Sequence, residues 1–171
     1  MIVSDQEKHR ATIFYVDSRF ERLARRPGAV GREQALTQAQ SQIDELKTDF
    51  GDWLDQELQH LRVVIAEIEC DPGDAALLER GENICSHIQD IGATMAYPLV
   101  TFVAKSLGMF LEAVKAGATY DKDAIECHVN ALLLVKSDSY RDLRPDQVPE
   151  MTVGLRRVVE LARSDSDRKK N

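Results

Sequence analysis

No stretch of this 171-residue chain stays apolar for the roughly 18 residues that a membrane-spanning helix needs. The opening residues, MIVSDQEKHR, lack the apolar core of a signal peptide, so a cytoplasmic protein is expected. Cysteine is also scarce. Cys70, Cys85 and Cys127 are odd in number and scattered, and no two of them have zinc-ligand spacing. Cys85 with His87, and Cys127 beside His128, come nearest to a metal pair; reduced cysteines on helix faces are the plainer reading. No metal and no cofactor are expected. Positive charge is in deficit, with a net charge of −7, which argues against a general nucleic-acid binder. The GxGxxG, P-loop, HExxH and GxSxG signatures are missing, as is any acid–base or nucleophile constellation of recognisable spacing, so a metabolic enzyme is the least favoured class. No segment alternates at period two, and there is no internal repeat or low-complexity block.

What remains is helical. Hydrophobic residues make up 43% of the chain and charged residues 30%, a balance that suits a globular protein with a real core. Residues 1–31 form an extension. Within it Arg19, Arg22, Arg25 and Arg26 crowd together with Arg32 just beyond, a solvated arm or a contact for an anionic partner. RRPGAVG (Arg25–Gly31) should stop any helix over Asp17–Arg25, and Phe20 and Leu23 could dock on the main body.

From Arg32 a long apolar stripe follows at three- and four-residue steps: Ile43, Leu46, Phe50, Leu54, Leu58, Leu61, Ile65 and Ile68. It ends at Cys70-Asp71-Pro72-Gly73. Asp74 can cap a second helix, with Leu77, Ile84, Ile88, Ile91 and Met95 on its inner face, ending near Tyr97 because a residue before proline leaves the helical region. Pro98 suits the first turn of a third helix, carrying Leu99, Val103, Leu107, Phe110, Leu111 and Val114 and stopping at Gly117. A fourth begins near Asp121 with Ile125, Val129, Leu132 and Val135 inward. A polar connection, SDSYRDLRPDQVP, leads to a fifth with Met151, Leu155, Val158 and Ala162 inward. The expectation is an all-α protein, an antiparallel helical bundle over residues 32–165, with 166–171 a frayed tail.

The second helix carries a histidine. With Ile84 at zero and about 100° per residue, Ser86 falls at about 200°, fully outward, and His87 at about −60°, on a shoulder against a neighbouring helix. A neutral imidazole can accept a phosphoryl group, given an exposed nitrogen and nearby cations. Gln89, Asp90 and Arg80 are near in sequence, and Asp90 has the wrong charge. A histidine hydrogen-bonded to its neighbours is the bland alternative. His60 and His128 read as packing or surface residues.

Cys85–Thr101, CSHIQDIGATMAYPLVT, resembles the histidine-phosphotransfer (Hpt) family of two-component phosphorelays, whose members often read AHDIKGQGGTFGYPLVT there. Ile88, Gly92, Thr94, Tyr97, Pro98, Leu99, Val100 and Thr101 match in one ungapped register. The likeness extends more loosely over residues 33–163, through FGDWLDQELQHL and IECHVNALLLV. It implies a four-helix bundle, here with an additional C-terminal helix. In this register the family's phosphorylated histidine falls on Ser86, its following lysine and glycine on Gln89 and Asp90, and a later glycine on Ala96. The motif's apolar residue two places after the acceptor is Ile88 counted from Ser86, but Gln89 counted from His87.

A serine phosphate is not the high-energy relay intermediate that a phosphoramidate is. Asp90 also adds bulk and charge where the family's glycine admits a receiver domain. The resemblance therefore implies a degenerate module that binds a receiver domain or histidine kinase as an adaptor or inhibitor, through Glu79, Glu82, Asn83, Ser86, His87, Gln89 and Asp90. An active relay protein with His87 as acceptor, brought outward by a helical bulge, is the alternative. A structural bundle that forms a homodimer, with Trp53 and Phe50 the first place to look, is the third reading.

Overall fold

The computed structural model describes residues 32–170, apart from the side chains of residues 32, 39 and 42–49. Expectations for the arginine-rich arm, Phe20, Leu23, and the Ile43 and Leu46 side chains lie outside the described residues. Five α-helices follow in order: α1 (Arg32–Cys70), α2 (Ala75–Thr94), α3 (Pro98–Lys115), α4 (Lys122–Val135) and α5 (Pro149–Lys170). Two short 3₁₀ turns, Asp138–Tyr140 and Pro145–Gln147, punctuate the connection between α4 and α5. There is no strand among the described residues, and no helix among them is long and apolar enough to cross a membrane. The chain divides into two compact units, Met1–Ile43 and Asp44–Asn171. The described part of the first is the opening of α1, where residues 33–38, 40 and 41 are exposed.

In the second unit, side-chain contacts give the helix directions. Glu57 meets His87 and Glu67 meets Arg80, so α1 and α2 are antiparallel. Gly92 lies against Thr101 and Gly81 against Leu111, so α2 and α3 are antiparallel too. Asp55 pairs with Lys136 and Glu69 with Lys122, which sets α4 antiparallel to α1. The fifth helix keeps this alternation. Arg156 covers Phe102, Arg163 pairs with Glu112, and Ser166 bonds the Ala116 carbonyl, so α5 runs parallel to α3. Helix α5 therefore runs antiparallel to α4, and the α4–α5 connection stays at the end of the bundle where α3 begins. It is held by Arg141 over the Tyr97 ring and by Thr152, whose hydroxyl donates to the Pro145 carbonyl at 2.9 Å.

The helix stripes are mostly as the periodicity predicts. Phe50, Leu54, Leu58, Leu61 and Ile68 of α1 are buried, with Val64 added and Ile65 only half-buried. All six expected residues of α3 are buried, and so are Val100, Ala104, Ser106 and Ala113, because this helix is covered by α2, α4 and α5. All four of α4 are buried. The expectation for α2 needs correcting. Its buried line is Leu78, Gly81, Cys85, Ile88 and Gly92, while Leu77, Ile84, Ile91 and Met95 are half-buried on its flank. The core face is turned by about 70° from the one hydropathy suggests. Gly81, Cys85 and Gly92 carry little hydropathy but let α3 approach closely: a Cβ on Gly92 would sit 3.1 Å from Thr101 Oγ1.

A second correction concerns the C-terminus, where residues 166–171 were expected to fray. Helix α5 continues to Lys170, and Ser166 is buried with its hydroxyl donating to the Ala116 carbonyl at 3.0 Å. Asp165 Oδ2 accepts from both the Thr119 amide and hydroxyl at 2.8 Å, and Lys169 lies 3.0 Å from it. These polar bonds tie the last turns to the α3–α4 corner without any apolar pattern to announce them.

Candidate functional site

Helix α2 presents the site. Asp74 starts it, its carboxylate accepting from the amides of Ala76 at 2.8 Å and Leu77 at 3.3 Å. At the other end the amide of Ala96 donates to the Ala93 carbonyl and that of Tyr97 to the Gly92 carbonyl, at 3.2 and 2.8 Å. This is a Schellman ending, and it requires a left-handed residue, here Ala96 at φ 58°. Tyr97 is then buried against Phe50, ring centroids 4.5 Å apart, and Pro98 opens α3. With both ends fixed and Gly81, Cys85 and Gly92 pressed to α3, the outward face of α2 has a set orientation.

Glu79, Asn83, Ser86, His87 and Asp90 are exposed on that face, while Glu82 and Gln89 are half-buried on its α3 side. His87 has the contact with a neighbouring helix expected of a shoulder position, against Trp53 and Glu57 of α1, and is exposed as well. Measured from the buried line, Ser86 lies about 120° and His87 about 140° away, so the histidine faces outward at least as fully. Its side chain is 55% exposed, which leaves it accessible to a partner without any helical bulge. It still touches α1. Its ring is perpendicular to Trp53, centroids 5.2 Å apart, and Nδ1 lies 3.9 Å from Glu57 Oε2.

The charge around the two candidate acceptors is uneven. Arg80, expected as a cation near His87, is drawn to Glu67 on α1, Nη1 to Oε2 at 2.8 Å. Among the described residues the only charged side chain recorded against His87 is the Glu57 carboxylate. Ser86 instead lines a shallow cleft of about 230 Å³ between α2 and α3, shared with Gln89, Lys105 and Met109. Glu82 also borders it, but its carboxylate is engaged by Lys115, and this bond raises the lysine's pKa. The strip is therefore less acidic than its sequence implies.

The two cysteine–histidine pairs come apart in the fold. Cys85 is buried and its thiol pKa is pushed up to about 12, by burial first and by Glu82 second, whereas His87 faces outward. Cys127 is exposed and His128 buried. No group of three or more His, Cys, Asp or Glu residues able to hold a metal ion occurs among the described residues.

Sequence reading missed the role of His128. Its Nδ1 is 2.7 Å from the Ala124 carbonyl, which can only accept, so Nδ1 carries the proton and Nε2 accepts from the Ser106 hydroxyl at 3.0 Å. Burial holds its pKa below the usual histidine value, partly offset by the bond to Ala124. This pair fastens α3 to α4 inside the core. Its two residues are 22 apart in sequence, and only the three-dimensional fold brings them together.

Compared with models of protein families, with curated proteins and with solved structures, neither the sequence nor the fold of this chain gives a match.

Proposed function

We propose that this chain is an Hpt-like module of two-component signalling, acting in the cytoplasm, that binds a receiver domain or histidine kinase without relaying phosphate. The observation that carries the reading is Ser86 at the acceptor position of the resemblance, exposed on the outer face of α2 and bordering a cleft with Lys105. A serine there can hydrogen-bond a partner but forms no phosphoramidate. Ala96 supports the same register: the position where the family has glycine has a left-handed φ of 58°. The exposure of both Ser86 and His87 removes the helical wheel as a reason to prefer one over the other.

The electrostatics favour a non-transferring role for His87. A phosphoryl group placed on it would add negative charge beside Glu57, which lies 3.9 Å from its ring, with no cation in contact to offset it among the described residues. The exposed ring is the one feature favouring the second reading, an active relay protein that accepts phosphoryl on His87 from a receiver aspartate.

The deciding experiment is a phosphotransfer assay against a panel of phosphorylated receiver domains, with His87→Ala and Ser86→Ala as controls and binding measured in parallel. The expected result is no alkali-stable, acid-labile phosphate on this chain, together with measurable binding to one receiver or kinase that His87→Ala leaves largely intact. Label lost only in His87→Ala would replace this reading with the active relay. Absence of both label and binding would remove the signalling assignment. In the same assay Asp90→Gly is expected to tighten receiver binding, because it removes bulk and like charge from the contact face.

A further inference from the structure

On the far side of α3 from α1, a groove of about 400 Å³ runs between α3 and α5. That volume falls within the range of small-molecule sites. Its apolar walls are Phe102 and Met109 from α3 and Val159 from α5. Its rim is cationic, with Lys105, Arg156 and Arg163 standing over it in a chain of net charge −7.

The nearby carboxylates cancel only part of this charge. Glu160 is paired with Arg157, outside the groove lining, at 3.6 Å, and Glu112 with Arg163 at 3.5 Å. Among the described residues Lys105 and Arg156 have no carboxylate partner. Arg156 lies instead across the Phe102 ring, its guanidinium carbon 5.2 Å from the centroid. That placement holds its donors beside an apolar wall, where the lower local dielectric strengthens their attraction for an anion. Ser106 also lines the groove, but its hydroxyl proton is given to His128. Recognition of a negative group therefore falls to Lys105 and Arg156.

We propose that this groove binds an amphiphilic monoanion, an apolar body lying on Phe102, Met109 and Val159 with a carboxylate between Lys105 and Arg156. Phosphotransfer chemistry plays no part in this site, and it stands whether or not the chain binds a receiver domain. It shares Lys105 and Met109 with the cleft beside Ser86, so an occupant would also sit close to the outer face of α2.

The test is calorimetric titration of the full chain with decanoate below its micelle concentration, against decanol and decyltrimethylammonium. Decanoate is expected to bind at one site, about tenfold or more tighter than either control. Arg156→Ala and Lys105→Ala are each expected to weaken it by about fivefold. Both are exposed positions, and thermal unfolding checks that the fold is kept. The double reversal Lys105→Glu with Arg156→Glu should abolish decanoate binding and admit the cationic amphiphile. Equal affinity for decanol would reduce the site to an apolar furrow and overturn the proposal. So would decanoate binding unchanged in the two alanine variants, or no binding at all.

Discussion

His87 stands perpendicular to the indole of Trp53, 85° between planes and 5.2 Å between ring centroids. One is an outward residue of α2 and the other a half-buried residue of α1, so the contact closes the seam between the helices at the surface. Trp53 is the only tryptophan in the chain, so its emission reports on this seam alone. His87→Ala should expose the indole and shift its emission to longer wavelength, with a change in stability below about 1 kcal/mol. Fluorescence and urea unfolding of the two proteins check this. An unshifted spectrum would mean that the contact is not kept in solution.

Two consecutive helices end in the same way with different residues at the critical place. In α2 the left-handed residue is Ala96, at φ 58°; in α3 it is Gly117, at φ 111°. Both endings close with paired backbone bonds, Tyr97 to Gly92 at 2.8 Å and Ala118 to Ala113 at 2.9 Å. A left-handed alanine costs about 1–2 kcal/mol, and glycine returns part of that relief through the freedom of the unfolded chain. Ala96→Gly should therefore stabilise the protein by about 0.5–1 kcal/mol, and Gly117→Ala should destabilise it by about 1 kcal/mol. Urea unfolding midpoints at constant slope give both numbers. Destabilisation by Ala96→Gly would show that the turn before Pro98 is held in another conformation.

The contrast between α2 and its neighbours explains how much the sequence made legible. In α1, α3 and α4 the inner faces are built from large aliphatic residues, so periodicity alone finds the core. In α2 the inner face is built partly from Gly81, Cys85 and Gly92, and large residues such as Ile84 and Ile91 flank it. Close packing through small residues leaves no hydropathy signal, so the periodicity of large residues points to a face beside the true one. The end of α5 was missed for a related reason, since polar bonds from Asp165 and Ser166 hold it. The outward place of Ser86 is legible from the helical wheel as well as from the motif around Tyr97-Pro98, whereas the groove beneath Arg156 depends on an α3–α5 pairing that no local pattern encodes.

Buried His128 makes stability depend on pH in a definite direction. Its folded-state pKa is lowered by burial, so the neutral ring is favoured in the native core. The contribution is fully present above the unfolded value near 6.5 and is lost as pH falls through that value toward the lower folded one. Urea unfolding from pH 8 to pH 5 should show a falling midpoint in the wild type and a smaller fall in His128→Leu, the difference isolating this ring. Ser106→Ala, which strips the buried Nε2 of its donor, should cost about 1–2 kcal/mol at neutral pH. Parallel pH profiles of wild type and His128→Leu would mean that water reaches the ring.

Asp165 governs whether the last turns of α5 stay attached. Its carboxyl pKa is lowered to about 2, chiefly by the Thr119 amide and then by Lys169 and the Thr119 hydroxyl. A depressed carboxylate contributes stability above its unfolded value of 3.8 and loses it as pH falls toward about 2. An NMR titration of the Asp165 carboxyl should accordingly give a midpoint well below that of a free aspartate. Asp165→Asn should speed amide exchange over residues 163–170 while leaving the buried amides of α3 protected, because the bonds it weakens join only the α3–α4 corner to the helix end. If exchange at the C-terminus is equally fast in both proteins, Ser166 and its bond to the Ala116 carbonyl do not hold the helix on their own, and the end frays whatever residue stands at 165.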